Sequence, residues 1–107
     1  GSNIDGLHRG GAAAAAFNRF GAIWGRAEGM QGQSYAIPTV GCNINKIQYC
    51  IDRFIDYAID HPELNFLVTP IGCGNAGFSP VDIAPMFRDA VNVNNIYLPI
   101  DFWQVLM

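Results

Sequence analysis

Charge is scarce in this chain: only 14% of its 107 residues are Asp, Glu, Lys or Arg. The six basic residues, Arg9, Arg19, Arg26, Lys46, Arg53 and Arg88, are scattered, and the net charge is −3. Non-specific nucleic-acid binding needs clustered Lys and Arg, so the balance argues against it. A surface this poor in charge is expected to be covered in part, and a homodimer would cover it. No apolar run approaches a membrane span, and no signal-peptide pattern is present, so no membrane partner is expected. The three cysteines, Cys42, Cys50 and Cys73, form no Cys-x-x-Cys pair. An odd count without a secretory signal reads as free thiols in a reducing compartment, the cytoplasm. His8 and His61 stand far apart, neither at metal-ligand spacing from a cysteine, so no metal and no cofactor is expected.

What is present suits one α/β domain spanning residues 1–107. Half the residues are hydrophobic, ample for a core. Residues 10 to 24 read as a first helix: alanines 12 to 16 have high helix propensity, and Phe17, Phe20 and Trp24 share one side. Residues 25 to 33 read as a polar, glycine-rich loop. Residues 34 to 38 read as a short strand stopped by Pro38. Asn43 or Asn45 can cap the next helix, to about Asp60, whose apolar stripe is Ile44, Ile47, Ile51, Phe54, Ile55 and Ala58. His61-Pro62 ends it, with His61 at the helix C-terminus rather than in an active site. Residues 65 to 69 are almost wholly apolar and suit the buried centre of a parallel sheet. Ser79 and Pro80 open a further helix, which Pro85 should disturb. Residues 95 to 99 are a last strand, and the apolar tail from Asp101 to Leu106 a turn or short helix that docks on something. Alternating helices and strands predict a mainly parallel sheet with right-handed crossovers.

Two glycine-rich stretches stand out. The stronger is Thr69-Pro70-Ile71-Gly72-Cys73-Gly74-Asn75-Ala76-Gly77-Phe78, which follows the most strand-like segment and precedes a helix start. Glycine lets a ligand approach the main chain closely, and a helix N-terminus offers free N–H groups. Strand, glycine loop and helix start together suit a phosphate; a tight connection needing glycine only for its geometry is the plainer reading. The second stretch, Asn3-Ile4-Asp5-Gly6-Leu7-His8-Arg9-Gly10-Gly11-Ala12, also leads into a helix. Together the two loops could flank one diphosphate at the carboxyl ends of the strands. A helix N-terminus lowers a thiol pKa, which raises the question of a nucleophilic Cys73; packing beneath the loop is the simpler role.

At these residues the chain resembles a macro domain, the α/β module that binds ADP-ribose. Asn3 through Ala16 resembles the family's asparagine, glycine-rich turn and alanine-rich helix. Residues 34 to 39 resemble the strand after it. Phe66-Leu67-Val68-Thr69-Pro70-Ile71-Gly72-Cys73-Gly74 is similar to the strand and second phosphate loop of the subfamily that includes terminal ADP-ribose protein glycohydrolase. The pattern also resembles small, uncharacterised bacterial and phage macro-like proteins. The resemblance implies a compact three-layer α/β/α macro-like fold with a mainly parallel sheet, its first strand missing ahead of Gly1-Ser2; a tag scar is the other reading of that dipeptide. It places the backbone of Gly10, Gly11 and Ala12 on one part of the diphosphate. Gly72, Cys73, Gly74, Asn75, Ala76 and Gly77 then wrap the other part and the distal ribose, with Phe78 packed against that ribose.

The departures shape the functional expectation. In the glycohydrolase subfamily an acid follows the Gly-Cys-Gly, and here Asn75-Ala76 stands there. The subfamily lysine has no counterpart in a loop, since the one lysine, Lys46, falls on a helix. Binding of ADP-ribose or a related nucleotide diphosphate is therefore the leading expectation, with ADP-ribose or an ADP-ribosylated substrate as partner. Hydrolysis is the alternative, with Asn3 positioning water or ribose and Asp5 or His8 as general base. A third reading is an oligomerisation module with vestigial phosphate loops, which losing residues 102 to 107 would dissociate.

Overall fold

The first strand, β1 (Ser2–Asn3), runs parallel to β4 (Pro38–Val40), with Ser2 opposite Pro38 and Asn3 opposite Val40. The computed structural model describes residues 1–3, 6 and 25–107. The predicted first helix, residues 10 to 24, lies outside them. The described chain mixes helix and strand, its strands forming three two-stranded ladders. An antiparallel hairpin joins β2 (Gly29–Gln31) to β3 (Ser34–Ala36), and β5 (Phe66–Leu67) runs parallel to β6 (Ile96–Tyr97). Two of the three ladders are parallel, and among the described residues they are not hydrogen-bonded into one sheet.

Two strand expectations are corrected here. Residues 25 to 33 are not loop throughout: Gly29–Gln31 pairs with Ser34–Ala36 across a turn in which Gly32 takes a φ of +59°, a left-handed conformation that glycine enters freely. Nor does Pro38 stop a strand. It opens β4, where a missing N–H costs nothing because it is the first strand residue.

Helix α1 (Ile44–Asp60) matches its sequence pattern closely. Asn43 caps it, its side-chain oxygen accepting the Lys46 N–H at 2.8 Å. Ile47, Cys50, Ile51, Phe54, Ile55 and Ala58 face inward. Ile44 does not; it is exposed, because the first turn projects beyond the core. His61 is the C-cap, with Nδ1 donating to the Tyr57 carbonyl at 2.7 Å and its ring stacked on Tyr57.

β5 departs most from expectation. Among the described residues its only ladder partner is β6, and Leu67 is 82% exposed, so it is not the buried centre of a sheet. Only the Phe66 face is inward, in edge contact with Phe54 at 5.3 Å. After the glycine loop come α2 (Pro80–Ile83) and a 3-10 segment, Ala84–Ala90. The tightening falls where Pro85 removes a donor, as its position predicts. The apolar tail forms α3 (Ile100–Leu106), which packs on α2 and the 3-10 segment. Phe102 is fully buried, its ring 5.6 Å from that of Phe87. The tail therefore docks within its own chain, and its removal would open the core rather than simply dissociate copies.

One polar side chain ties the strand layer to α1. Asn95 is buried, and its Nδ2 lies 2.9 Å from the Ala58 carbonyl, 3.1 Å from that of His61 and 2.9 Å from that of Leu64. These carbonyls lie at the end of α1 and in the turn into β5; those of Ala58 and His61 also accept the backbone N–H groups of His61 and Leu64, so the amide adds a second donor to them and supplies one to the Leu64 carbonyl. Asn95→Leu leaves them without that donor and is expected to lower the unfolding free energy by about 2 kcal/mol, read by urea denaturation.

Candidate functional site

The loop from Thr69 to Phe78 is held at both ends and open in the middle. Val68 closes the strand by donating to the Tyr97 carbonyl at 2.9 Å. Ile71 and Gly72 are buried. Gly72 has a φ of +75°, and a Cβ there would sit 3.1 Å from Ile83 Cδ1, so both conformation and space call for glycine. Phe78 is half-buried against the core and donates its N–H to the Gly72 carbonyl at 2.9 Å, closing the loop. On the other side Gly1 abuts the loop's base: a Cβ on it would lie 3.3 Å from Ile71 Cβ.

Within this frame the backbone donors divide into two sets. The Cys73 N–H goes to the Pro70 carbonyl at 3.3 Å, and that of Gly77 to the Gly74 carbonyl at 3.0 Å. These two donors, assigned to a diphosphate by the resemblance, are thus engaged in turns. The N–H groups of Gly74, Asn75 and Ala76 take no hydrogen bond within the described residues. Gly74 and Asn75 are exposed and Ala76 half-exposed. Gly74 differs from Gly72 and Gly77 in that its φ is not left-handed; as at Gly77, nothing among the described residues beyond its chain neighbours lies within 4 Å of where its Cβ would be.

The helix start behind the loop is not an open anion site. Asp82 turns back on Ser79, its carboxylate accepting the Ser79 N–H at 3.0 Å and the Ser79 hydroxyl at 3.1 Å. Pro80 supplies no N–H. The chain's own carboxylate fills the place where a helix N-terminus would meet a phosphate. That part of the sequence expectation is overturned, although Ser79 and Pro80 do open the helix.

Cys73 is half-buried in the loop, its thiol directed at the Ile71 carbonyl at 3.5 Å. Burial pushes its pKa above the ordinary thiol value, and the carboxylates of Asp101 and then Asp82 push it further. The environment thus opposes thiolate formation, contrary to an activated nucleophile. Iodoacetamide at pH 8 is expected to modify Cys73 in the folded protein more slowly than in the urea-unfolded chain, as measured by mass spectrometry. Cys42 and Cys50 are also free thiols, and burial drives Cys50 to a pKa of about 11.

Of the candidate residues from the first loop, Asp5, His8, Gly10, Gly11 and Ala12 lie outside the described residues. Asn3 is placed only as the end of β1. Gly6 is described: it has a φ of +71°, packs against the Gly25 and Arg26 backbone, and accepts the Gly25 N–H at 2.7 Å. The sequence reading did not associate Asp101 with the second loop. Nothing in a local motif marks it, because α3 brings it there from the end of the chain.

Elsewhere, a shallow depression of about 330 Å³ is lined by Asp52, Asp56 and Asp89 with Ile55 and Ile59. Three carboxylates make it unsuited to an anionic ligand. Among the described residues no cluster of His, Cys, Asp and Glu could hold a metal ion, and no helix is long and apolar enough to cross a membrane. Comparisons with protein-family models, curated proteins and solved structures give no match.

Proposed function

We propose that the loop from Gly72 to Phe78 binds the diphosphate of ADP-ribose or a related nucleotide diphosphate. The observation that carries this reading is Gly74, with the N–H groups of Gly74, Asn75 and Ala76, which are unspent among the described residues. No left-handed backbone and no crowding among the described residues require glycine at position 74. A ligand pressed against the main chain would require it, and three successive backbone donors would meet that ligand. With this goes the finer fold reading, in which the two parallel ladders belong to a macro-like α/β/α arrangement. The contact between Gly1 and Ile71 supports it, by setting β1, and with it the start of the first glycine stretch, against the base of the second loop.

Saturating ADP-ribose is expected to raise the melting temperature of the intact protein, since a ligand binding only the folded state stabilises it. No shift at millimolar ADP-ribose would contradict the proposal. Incubation with ADP-ribosylated protein then separates binding from hydrolysis: a binder leaves the modification in place, and a hydrolase releases free ADP-ribose.

A further inference from the structure

Helix α1 presents an exposed seam whose charges are sorted into two halves. Lys46, Tyr49, Arg53, Asp56 and Asp60 follow one another at spacings of three and four residues, so they share a face, and all five are exposed. The cations stand in the N-terminal part of the seam and the carboxylates in the C-terminal part. That order opposes the helix macrodipole, which favours acids in the first turn and bases in the last; α1 has neither. Local pairing relieves little of it. The Lys46 ammonium lies 5.7 Å from the centre of the Tyr49 ring, and the one ion pair among the described residues joins Arg53 Nε to Glu28 at 3.2 Å. Asp56 also lines the depression shared with Asp52, Asp89, Ile55 and Ile59, whose walls hold only carboxylates and apolar side chains. Ile59 is 54% exposed there.

We infer that this seam is an interface between two copies of the chain, whatever the glycine loop binds. The seam is complementary to itself. A two-fold axis perpendicular to α1 makes the two helices antiparallel, which opposes their dipoles and lays the cationic part of each on the acidic part of the other. With Arg53 opposite the second copy's Asp56, symmetry repeats that pair and sets each Tyr49 opposite an Asp60. The guanidinium then meets the acidic depression, and Tyr49 and Ile59 supply apolar area.

Sedimentation equilibrium of the intact protein tests this. A dimer is expected at about 50 mM NaCl, its dissociation constant rising about tenfold at about 500 mM, because exposed ion pairs are screened. Arg53→Glu and Asp56→Arg each set like charges against one another and are each expected to weaken the dimer about tenfold or more, with urea midpoints reporting that the variants are folded. Mixed in equal amounts, the two variants are expected to form a heterodimer, because both cross-copy pairs then join opposite charges. A wild-type protein that stays monomeric at the highest attainable concentration would overturn the proposal, as would a dimer indifferent to salt or one that both variants retain. Loss of the dimer in each variant without recovery on mixing would overturn the pairing of Arg53 with Asp56.

Discussion

Phe87→Ala is expected to lower the unfolding free energy by about 3–5 kcal/mol. Phe87 is fully buried, and its ring contacts those of Phe54 on α1, at 6.5 Å, and Phe102 on α3, at 5.6 Å. One side chain on the 3-10 segment thus joins the long helix to the C-terminal one. Truncation leaves a cavity where three elements meet, and a tightly wound 3-10 segment bearing Pro85 has little freedom to collapse into it. A domain of this size is stable by only about 5–15 kcal/mol, so the loss is a large fraction of the whole. Equilibrium urea denaturation measures it directly. A loss below about 1 kcal/mol would mean that α3 is not seated on the 3-10 segment as described.

The second large effect falls on binding rather than folding. Gly74→Ala is expected to leave stability unchanged or raise it by about 0.5 kcal/mol, because residue 74 has an ordinary φ and open space, and alanine restricts the unfolded chain. The same change is expected to weaken ADP-ribose by about tenfold, since a methyl group would stand between ligand and main chain. Gly74→Glu adds a like charge and is expected to abolish measurable binding, again without unfolding the protein. Gly72→Ala separates the two glycines. A left-handed φ with Ile83 at 3.1 Å makes it destabilising by about 1–2 kcal/mol, with any binding loss following from the fold. If Gly74→Ala and Gly72→Ala behaved alike in both assays, Gly74 would be a structural glycine and the phosphate loop reading would lose its main support.

Local chemistry made some of this legible in the sequence. The stripe from Ile47 to Ala58, the Asn43 cap and the His61-Pro62 stop define α1, because helix periodicity and capping are short-range. The disturbance at Pro85 follows from its missing N–H, and Ser79 and Pro80 mark the next helix start. What sequence did not show depends on partners distant in the chain. The apolar run around β5 reads as a buried strand, yet Leu67 is exposed, and among the described residues β6 is the strand's only ladder partner. Pro38 reads as a terminator, but it starts a strand whose partner is Ser2, thirty-six residues earlier.

The same division holds at the candidate site. The glycine spacing marks the loop, but not which donors the turns consume. Cys73 and Gly77 are occupied, whereas among the described residues Gly74, Asn75 and Ala76 are not, and only the folded backbone distinguishes them. The helix N-terminus reads as available in the sequence, but Asp82 fills it. The carboxylate of Asp101 reaches this neighbourhood through tertiary packing of the tail, which no motif around residue 73 encodes.

The central proposal is that the backbone donors of Gly74, Asn75 and Ala76 hold a diphosphate. Calorimetric titration of the intact protein with ADP-ribose, beside Gly74→Ala, tests it most directly. Saturable one-to-one binding in the micromolar range, weakened in the variant while its urea midpoint is unchanged, is the expected result. No heat of binding to the wild-type protein, or equal binding by both proteins, would contradict it.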